Sequence, residues 1–359
     1  MAFNFNDLER RFAVFSFKYD TASRIRLWRK LGKLLTDGIP IVRALEELAS
    51  LKPKGHPEHI ALKEWASVMN NGRKFSEAIK EWVSTEEAML IMAGDQAGEL
   101  GKSMMSVIKV TKAGQQIKQA VLSGISYPLF LIILSIGVMF LFNYKIIPAF
   151  AIAARGDRWM GMARTMIDVS NFMQNWFVWI VIAIVLAIVA LFVSMPLWTG
   201  ATRTKFDRYP PYNIYRIMQG STWIISLSAL IQSGLRIEKA MEDLMRGTAP
   251  WAKERMGAAL RGLKAGRDIG QALAQTRYEF PDREIISDIQ LYSSKSGFDE
   301  ALRIIGDEWI TESVARIEGM MKKVFGITLM LSGAIIAFEI AGMFAMQIQL
   351  GQIIQQPGM

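Results

Sequence analysis

Three stretches of this chain run without charge for lengths that leave a polypeptide backbone few choices. Gly124 to Tyr144 (GISYPLFLIILSIGVMFLFNY) and Asn171 to Trp198 (NFMQNWFVWIVIAIVLAIVALFVSMPLW) hold no charged side chain, and Val324 to Leu350 holds one, Glu339. About 20 apolar residues suffice to cross a bilayer as a helix. Inside hydrocarbon every backbone N–H and C=O needs a partner from the segment itself, a condition that a helix meets and an extended run does not. The sequence therefore predicts three transmembrane helices, with Trp176, Trp179 and Trp198 at aromatic-belt positions of the second.

Basic residues orient these helices. Arg203, Lys205, Arg208 and Arg216 follow the second run and Arg316, Lys322 and Lys323 precede the third, whereas nothing basic follows the third. Lys and Arg collect on the cytoplasmic side, so the block between the second and third runs is expected inside. The first run is less decisive, with Lys109, Lys112 and Lys118 before it and Lys145, Arg155 and Arg158 after it. Three crossings then put the N-terminus inside and the C-terminus outside. The start, MAFNFNDLERRF, lacks the apolar core of a secretory signal, in keeping with a first domain that stays in the cytoplasm. The expected order is a cytoplasmic domain over 1–123, a span over 124–144, an outer loop over 145–170 and a second span over 171–198. A second cytoplasmic domain over 199–323, a third span over 324–350 and a short outer tail over 351–359 complete it. The formal charge of +9 is read as topology and attraction to anionic membrane lipid, with no nucleic-acid partner. With no cysteine in the chain, disulfides, thiolate metal sites and a cysteine nucleophile are excluded.

Both soluble blocks read as helical, and they repeat one another. LLTDGIPIVRALEEL, from Leu34 to Leu48, returns as LIQSGLRIEKAMEDL, from Leu230 to Leu244. Apolar residues at helical spacing flank one break, where Gly38, and Gly234 in the second copy, supply a left-handed residue past the helix end, and Pro40 suits the first turn of the next helix. NGRKFSEAI, ending at Ile79, answers AGRDIGQAL, ending at Leu273. QAGELGKSM around Gly98 answers KSGFDEALR around Gly297. Each copy then runs through a helical stretch into a membrane span, so the unit is a helical domain plus its anchoring helix, used twice. Two such copies offer two similar surfaces at a fixed separation. FAVFSFKYD, Phe12 to Asp20, is the one segment with a short extended reading.

These landmarks resemble the F domain of type II secretion systems, found also in the inner-membrane platform proteins of type IV pili. The family's hairpin signature stands as LLTDGIPIVRALEEL, its G-E-x-[ST]-G-x-L as GDQAGEL (Gly94 to Leu100), its Y-P as Tyr127 and Pro128, and its Pro-x-Phe as Pro148 and Phe150. The order covers nearly the whole chain, from about Ile25 to Gln347. Asp95 replaces the usual Glu, the second copy reads SSKSGFDEAL without the leading Gly-Glu, and Gly326 stands where Pro is expected. The resemblance implies an all-α, non-enzymatic, homo-oligomeric platform without cofactors. Its implied partners are a cytoplasmic assembly ATPase, pilin or pseudopilin subunits and other inner-membrane assembly proteins.

Chemistry finds little to build on. QAGELGKS, Gln96 to Ser103, misses a phosphate-binding loop because Gln96 occupies the required first glycine and no strand precedes it, so a turn is expected. His56 and His59 lie in the Pro- and Gly-rich KPKGHPEHI, read as a solvated loop, and lack the further ligands a zinc site needs. Glu46/Glu47 and Glu242/Asp243 occupy matching sites, either as polar helix faces or as a contact or divalent-cation surface. Glu339 must be protonated, paired or turned toward protein, since a charge at the bilayer centre costs about 2.5–3.5 kcal/mol on insertion scales. Gly333, Ala337, Ala341 and Ala345 form a small-residue stripe on the opposite helical face. One reading is that the stripe packs within the platform, against the first span of the same chain or another protomer, while Glu339 meets a second partner such as a pilin helix; the other is that Glu339 leans toward the outer interface or sits protonated in the bundle. A transporter or channel component is the alternative function; three spans supply little pore lining, and no inverted pair of broken helices is visible. A receptor would need a larger outer domain.

Overall fold

The computed structural model describes residues 5–153, 159–246, 248–294 and 297–355, and every regular element among them is helical. Arg155, Arg158, Lys295, Ser296 and residues 356–359 lie outside the described residues. In chain order the first elements are α1 (Phe5–Tyr19), α2 (Thr21–Thr36), α3 (Ile41–Ser50), α4 (Pro57–Asn70), α5 (Phe75–Ala78), α6 (Thr85–Ala97) and α7 (Leu100–Leu141). A π-helical turn (Phe142–Ile146), α8 (Ile147–Ala153) and α9 (Gly161–Leu197) follow. Then come α10 (Ala201–Phe206), α11 (Tyr212–Gln232), α12 (Ile237–Arg246), α13 (Pro250–Lys264), α14 (Ile269–Gln275), α15 (Arg283–Tyr292) and α16 (Phe298–Gln355). The three apolar runs fall in α7, α9 and α16, each long and apolar enough to cross a membrane.

The chain divides into two compact units, Met1–Lys118 with Met195–Val314, and Gln119–Ser194 with Ala315–Met359. In the first unit the repeat is visible helix by helix: α2 to α6 and the start of α7 correspond to α11 to α15 and the start of α16. Its turns show why. Gly38 and Gly234 have φ of 82° and 85°. In the first copy the N–H of Gly38 bonds Leu35 O (3.1 Å) and that of Ile39 bonds Leu34 O (3.0 Å). In the second, Gly234 bonds Ile231 O (2.9 Å) and Leu235 bonds Leu230 O (3.2 Å). This is the paired helix-end arrangement that satisfies the last carbonyls. Gly72 and Gly266, in the second landmark, close α4 and α13 the same way, bonding Met69 O and Leu263 O at 2.9 Å. Pro40 caps α3 from the residue just before its first turn, one position earlier than the sequence suggests.

The third landmark is a joint whose chemistry has been exchanged between copies. Asp95 of α6 accepts from the N–H (3.1 Å) and Oγ (2.8 Å) of Ser76, at the start of α5. In the second copy a hydroxyl replaces that carboxylate on α15, and Ser293 donates at 2.7 Å to Asp268, the N-cap of α14. Gly94 lets α7 close on α6, since a Cβ there would sit 2.3 Å from Ser103 Cβ. QAGELGKS is the turn from α6 through Gly98 (φ 73°) into α7.

The two copies share one hydrophobic core, so they do not stand apart as two similar free surfaces. Helix α6 of the first copy is the shared piece. One side faces its own copy, where Glu87 pairs with buried Arg24 (3.0 Å) beneath the stacked Trp28 and Trp65. Glu86 faces α11 and α12 across a small cavity with Thr222, Ser226 and Leu244, and buried Met89 and Ala93 lie on the same side of α6. Right after the second run, α10 is locked to α13. Asp207 accepts from Arg203 and from Arg255 (2.5 Å), and both guanidinium groups lie on aromatic rings, Arg203 over Tyr212 and Arg255 over Trp251, each at 4.1 Å.

Two expectations are corrected. FAVFSFKYD is not extended: it lies in α1, where Ala13 and Phe17, four residues apart, are buried while Phe12 and Phe15 are exposed. The clustered aromatics mimic a strand, but the buried pair has helical spacing. The segment 145–170 is mostly not loop. Helix α9 begins at Gly161 because Ala163 and Met166 enter a small core with Ile147, Trp159 and Met346.

Two outcomes follow. Gly94→Ala destabilises the full chain in detergent by about 1–3 kcal/mol, the usual cost of overpacking, and Ser103→Gly in the same chain relieves it; thermal unfolding of the single and double variants checks this. Helix α1 is tied to α4 by Arg10, which bonds Glu64 at 2.7 Å. Glu64 is partly buried, yet its carboxyl is held below the usual range by hydrogen bonds from Arg10 and Trp82. Such a depressed carboxylate stabilises above its unfolded pKa, and the contribution is lost as pH falls through the folded value. Amide exchange in α1 therefore accelerates on acidification before that in α4, and Glu64→Gln flattens the dependence.

Candidate functional site

The second unit contains a polar node where apolar packing would be the default. It starts from Pro148. A proline has no N–H to give, so the regular helical ladder fails just before it. The chain takes one π-helical turn, in which the N–H of Ile147 bonds back to Phe142 O. That shift leaves the carbonyl of Asn143 without a backbone donor, because Ile147 has been diverted and Pro148 has none. Helix α9 supplies the replacement: Ser170 Oγ donates to Asn143 O at 2.8 Å and Gln174 Nε2 at 2.9 Å. The Asn143 side chain turns the other way. Its Nδ2 donates to Met139 O (2.7 Å) and to Glu339 Oε1 of α16 (3.1 Å). One proline thus leads to a hydrogen-bonded cluster that ties three membrane-length helices together. Asn143, Ser170 and Glu339 are all buried, Glu339 to 2% exposure. Asn143 Oδ1 and Glu339 Oε2 are buried acceptors with no hydrogen-bond donor among the described residues.

This geometry turns Glu339 inward to Asn143, against the reading that it faces a second partner, and the small-residue stripe does not pack within the chain itself. Glu339 is on the packed face of α16 with Ser332, Gly342 and Met346, and Gly333, Ala337 and Ala341 are on the exposed face. The two features do oppose each other, but the polar residue wins the interior because Asn143 is there to receive it. Gly342 sets the depth of that contact, since a Cβ would fall 2.3 Å from Met166 Cγ. Pro128 lies inside α7, in a groove of about 390 Å³ between α7 and α16, and Tyr127 meets Phe325 edge to face at 5.1 Å. Gly124, whose carbonyl loses its helical donor to Pro128, sits so near α16 that a Cβ would fall 2.2 Å from Met321 Cγ.

The remaining candidates have local roles. Gly98 and Gly297 (φ 73° and 84°) precede α7 and α16. Glu46 and Glu47 are exposed, Glu47 paired with Arg43 at 3.1 Å. Their counterparts differ: Glu242 pairs with Lys264 at 2.7 Å, and Asp243 is buried and bonded to Lys239 at 3.0 Å. Glu47, Glu242 and Asp243 are each answered by a cation, and no group of three metal-ligating side chains occurs among the described residues. His56 is exposed at the end of the loop, as expected, but His59 is not in the loop. His56 caps α4 by accepting from the Glu58 N–H (3.2 Å), and His59, within α4, bonds Ala49 O at 2.8 Å. Asn143 and Gln174 lie at the ends of uncharged runs that read as plain hydrocarbon, and Ser170 at the end of the segment expected to be an outer loop, so none of them stands out in the sequence. The available signal was a proline five residues after an asparagine.

Glu339→Gln keeps an acceptor for Asn143 Nδ2 and leaves bundle stability unchanged. Glu339→Leu and Asn143→Leu each cost about 0.6 kcal/mol and at most about 1.7 kcal/mol, the average and the maximum found for polar contacts between membrane helices. Unfolding of the purified chain in bicelles reads the difference, and equal losses for Gln and Leu at 339 would contradict the assignment.

Over most of its length the chain is similar to proteins of one kind. The family model described as type II secretion system (T2SS), protein F, matches residues 27–148 and 223–346, one match per copy, each running into the membrane helix. Over 254 residues the chain is 22% identical to the toxin coregulated pilus biosynthesis protein E of Vibrio cholerae, covering 69% of this chain and 73% of that one. It is 23% identical to type IV pilus assembly protein PilC of Thermus thermophilus, covering 71% of this chain and 64% of that one. It is also 23% identical to PilC of Myxococcus xanthus, covering 74% and 65%. The matches thus span about two thirds to three quarters of those relatives' own lengths. A duplicated helical module, each copy continuing into a membrane-length helix, is what the family match and the structure have in common, and the chain belongs to the type II secretion system protein F family.

Proposed function

We propose that this multi-pass protein is the inner-membrane platform of a type IV pilus or type II secretion machine. The observation that carries the reading is the duplicated module fused, in each copy, to a helix long enough to cross the bilayer. Both copies lie in the cytoplasm, with the N-terminus inside and the C-terminus outside. The basic residues that follow the second run and precede the third support this, as does the +9 charge, which favours an anionic inner leaflet. A cytoplasmic assembly ATPase docks on the paired copies, and pilin or pseudopilin subunits approach the membrane helices from the bilayer. The platform itself performs no catalysis; it transmits force. The shared core of the two copies and the Asn143–Glu339 node suit that task, since both resist separation of the parts they join.

Deleting the chain abolishes filaments in its host, and the full-length protein captures the assembly ATPase from solubilised membranes. A chain severed between Leu197 and Ala201, with both pieces expressed and inserted, fails to restore filaments; filament assembly by the severed pair contradicts a force-transmitting role. The chain has no native cysteine, so orientation is read cleanly. Lys52→Cys is labelled by an impermeant maleimide only after the inner face is opened.

A further inference from the structure

The contact between the two copies is one-directional. Helix α6 of the first copy lies on α11 and α12 of the second, and Lys109 of α7 reaches Asp307 of α16 at 2.5 Å. The reverse contact, α15 on α2 and α3, is not made to any comparable extent among the described residues. A head-to-tail contact between like modules leaves one donor face and one acceptor face uncovered, which the next molecule can fill.

Both uncovered faces are identifiable by repeat register. The acceptor face of the second copy carries Thr222, Ile225, Ser226 and Ala229 on α11. At the matching positions α2 carries Arg26, Arg29, Lys30 and Lys33, all exposed. The donor face of α6 presents Glu86, Met89 and Ala93. Its counterpart on α15 presents Glu284, Ser287 and Leu291, again exposed, Leu291 to 55%. Asp288 and, on α16, Glu308 and Glu312 extend this face; the α15 segment also bears Arg283 at its start. The carboxyl of Asp288 is pushed up by partial burial and by its neighbours Glu284, Glu312 and Glu308, which places the four carboxylates together. Ile304, on the part of α16 that corresponds to the α7 contact, is 43% exposed.

We propose that these two faces bind each other between molecules: the acidic α15/α16 face of one protomer seats on the basic α2 face of the next, repeating the contact that α6 and α7 make within the chain. The occupant is a second copy of this chain because the geometry already exists once inside it and the charges at the open ends are opposite. Opposed charge fixes register and partner more than it adds affinity, while Leu291 and Ile304 supply apolar area. This deepens the proposed function only in naming the self-contact, and its test needs no filament readout, so its failure is separable from failure of the platform reading.

The test uses full-length chains with two different tags, coexpressed and reconstituted in nanodiscs. With Lys30→Cys in one and Leu291→Cys in the other, mild oxidation yields a disulfide joining the two tags, whereas Lys30→Cys paired with Leu51→Cys, exposed beyond the end of α3, does not. Lys30→Glu weakens self-association in detergent at least about tenfold, and Asp288→Lys in the same chain restores it, each tenfold step being about 1.4 kcal/mol. Absence of the mixed disulfide, while both cysteine variants insert and label normally, overturns the proposal. So does a double variant that remains as weak as the single one. If Lys30→Glu lowers only binding to vesicles containing phosphatidylserine and leaves oligomer size unchanged, the basic face serves lipid and the proposal fails.

Discussion

A polar backbone group released between packed helices, away from water, has nowhere to go but to another part of the protein. That constraint organises the membrane unit. Pro148 breaks the ladder, the π-turn frees the carbonyl of Asn143, and helix α9 must bring Ser170 and Gln174 to it. Once Asn143 is held there, its side chain is available to Glu339, and α16 rotates its carboxyl inward and its small-residue stripe outward. An exposed stripe of glycine and alanine costs nothing in lipid; an exposed carboxylate would. The orientation of α16 thus follows from one proline at the start of α8.

The soluble unit obeys a different constraint. Duplication supplied two copies of one module, and what both retain is backbone geometry: the left-handed glycines that end α2 and α11, and again α4 and α13, with the same hydrogen bonds. What has diverged is chemistry placed on that geometry. The joint between α5 and α6 uses a carboxylate and a serine in one copy, and the same joint between α14 and α15 uses them from opposite sides. A left-handed helix end strongly favours glycine, whereas a hydrogen bond only needs a donor and an acceptor somewhere in the pair.

Membrane runs, helical class and the repeat were legible because each is periodic or continuous along the chain, and periodicity survives without knowledge of neighbours. The features that escaped are those decided across the chain. Asn143 and Glu339 are 196 residues apart, and nothing local says that they meet. The clustered aromatics of α1 give it an extended reading, whereas the buried pair, Ala13 and Phe17, has helical spacing. His59 looked solvated because its surroundings are rich in proline and glycine, yet Pro57 is a helix-start proline and places His59 in α4.

The net positive charge shows the same difference between composition and arrangement. Read as a total, +9 points to the membrane surface. Arranged on helices, part of it is concentrated on the face of α2, at positions whose counterparts on α11 are uncharged and covered. A buried acceptor face cannot keep lysines and arginines without partners, so the copy that is covered within the chain lost them or never gained them. The copy whose face remains open carries four. The asymmetry of charge between otherwise equivalent helices is thus a consequence of a one-directional contact between two equal modules, which closes one joint inside the chain and leaves an oppositely charged face at each end.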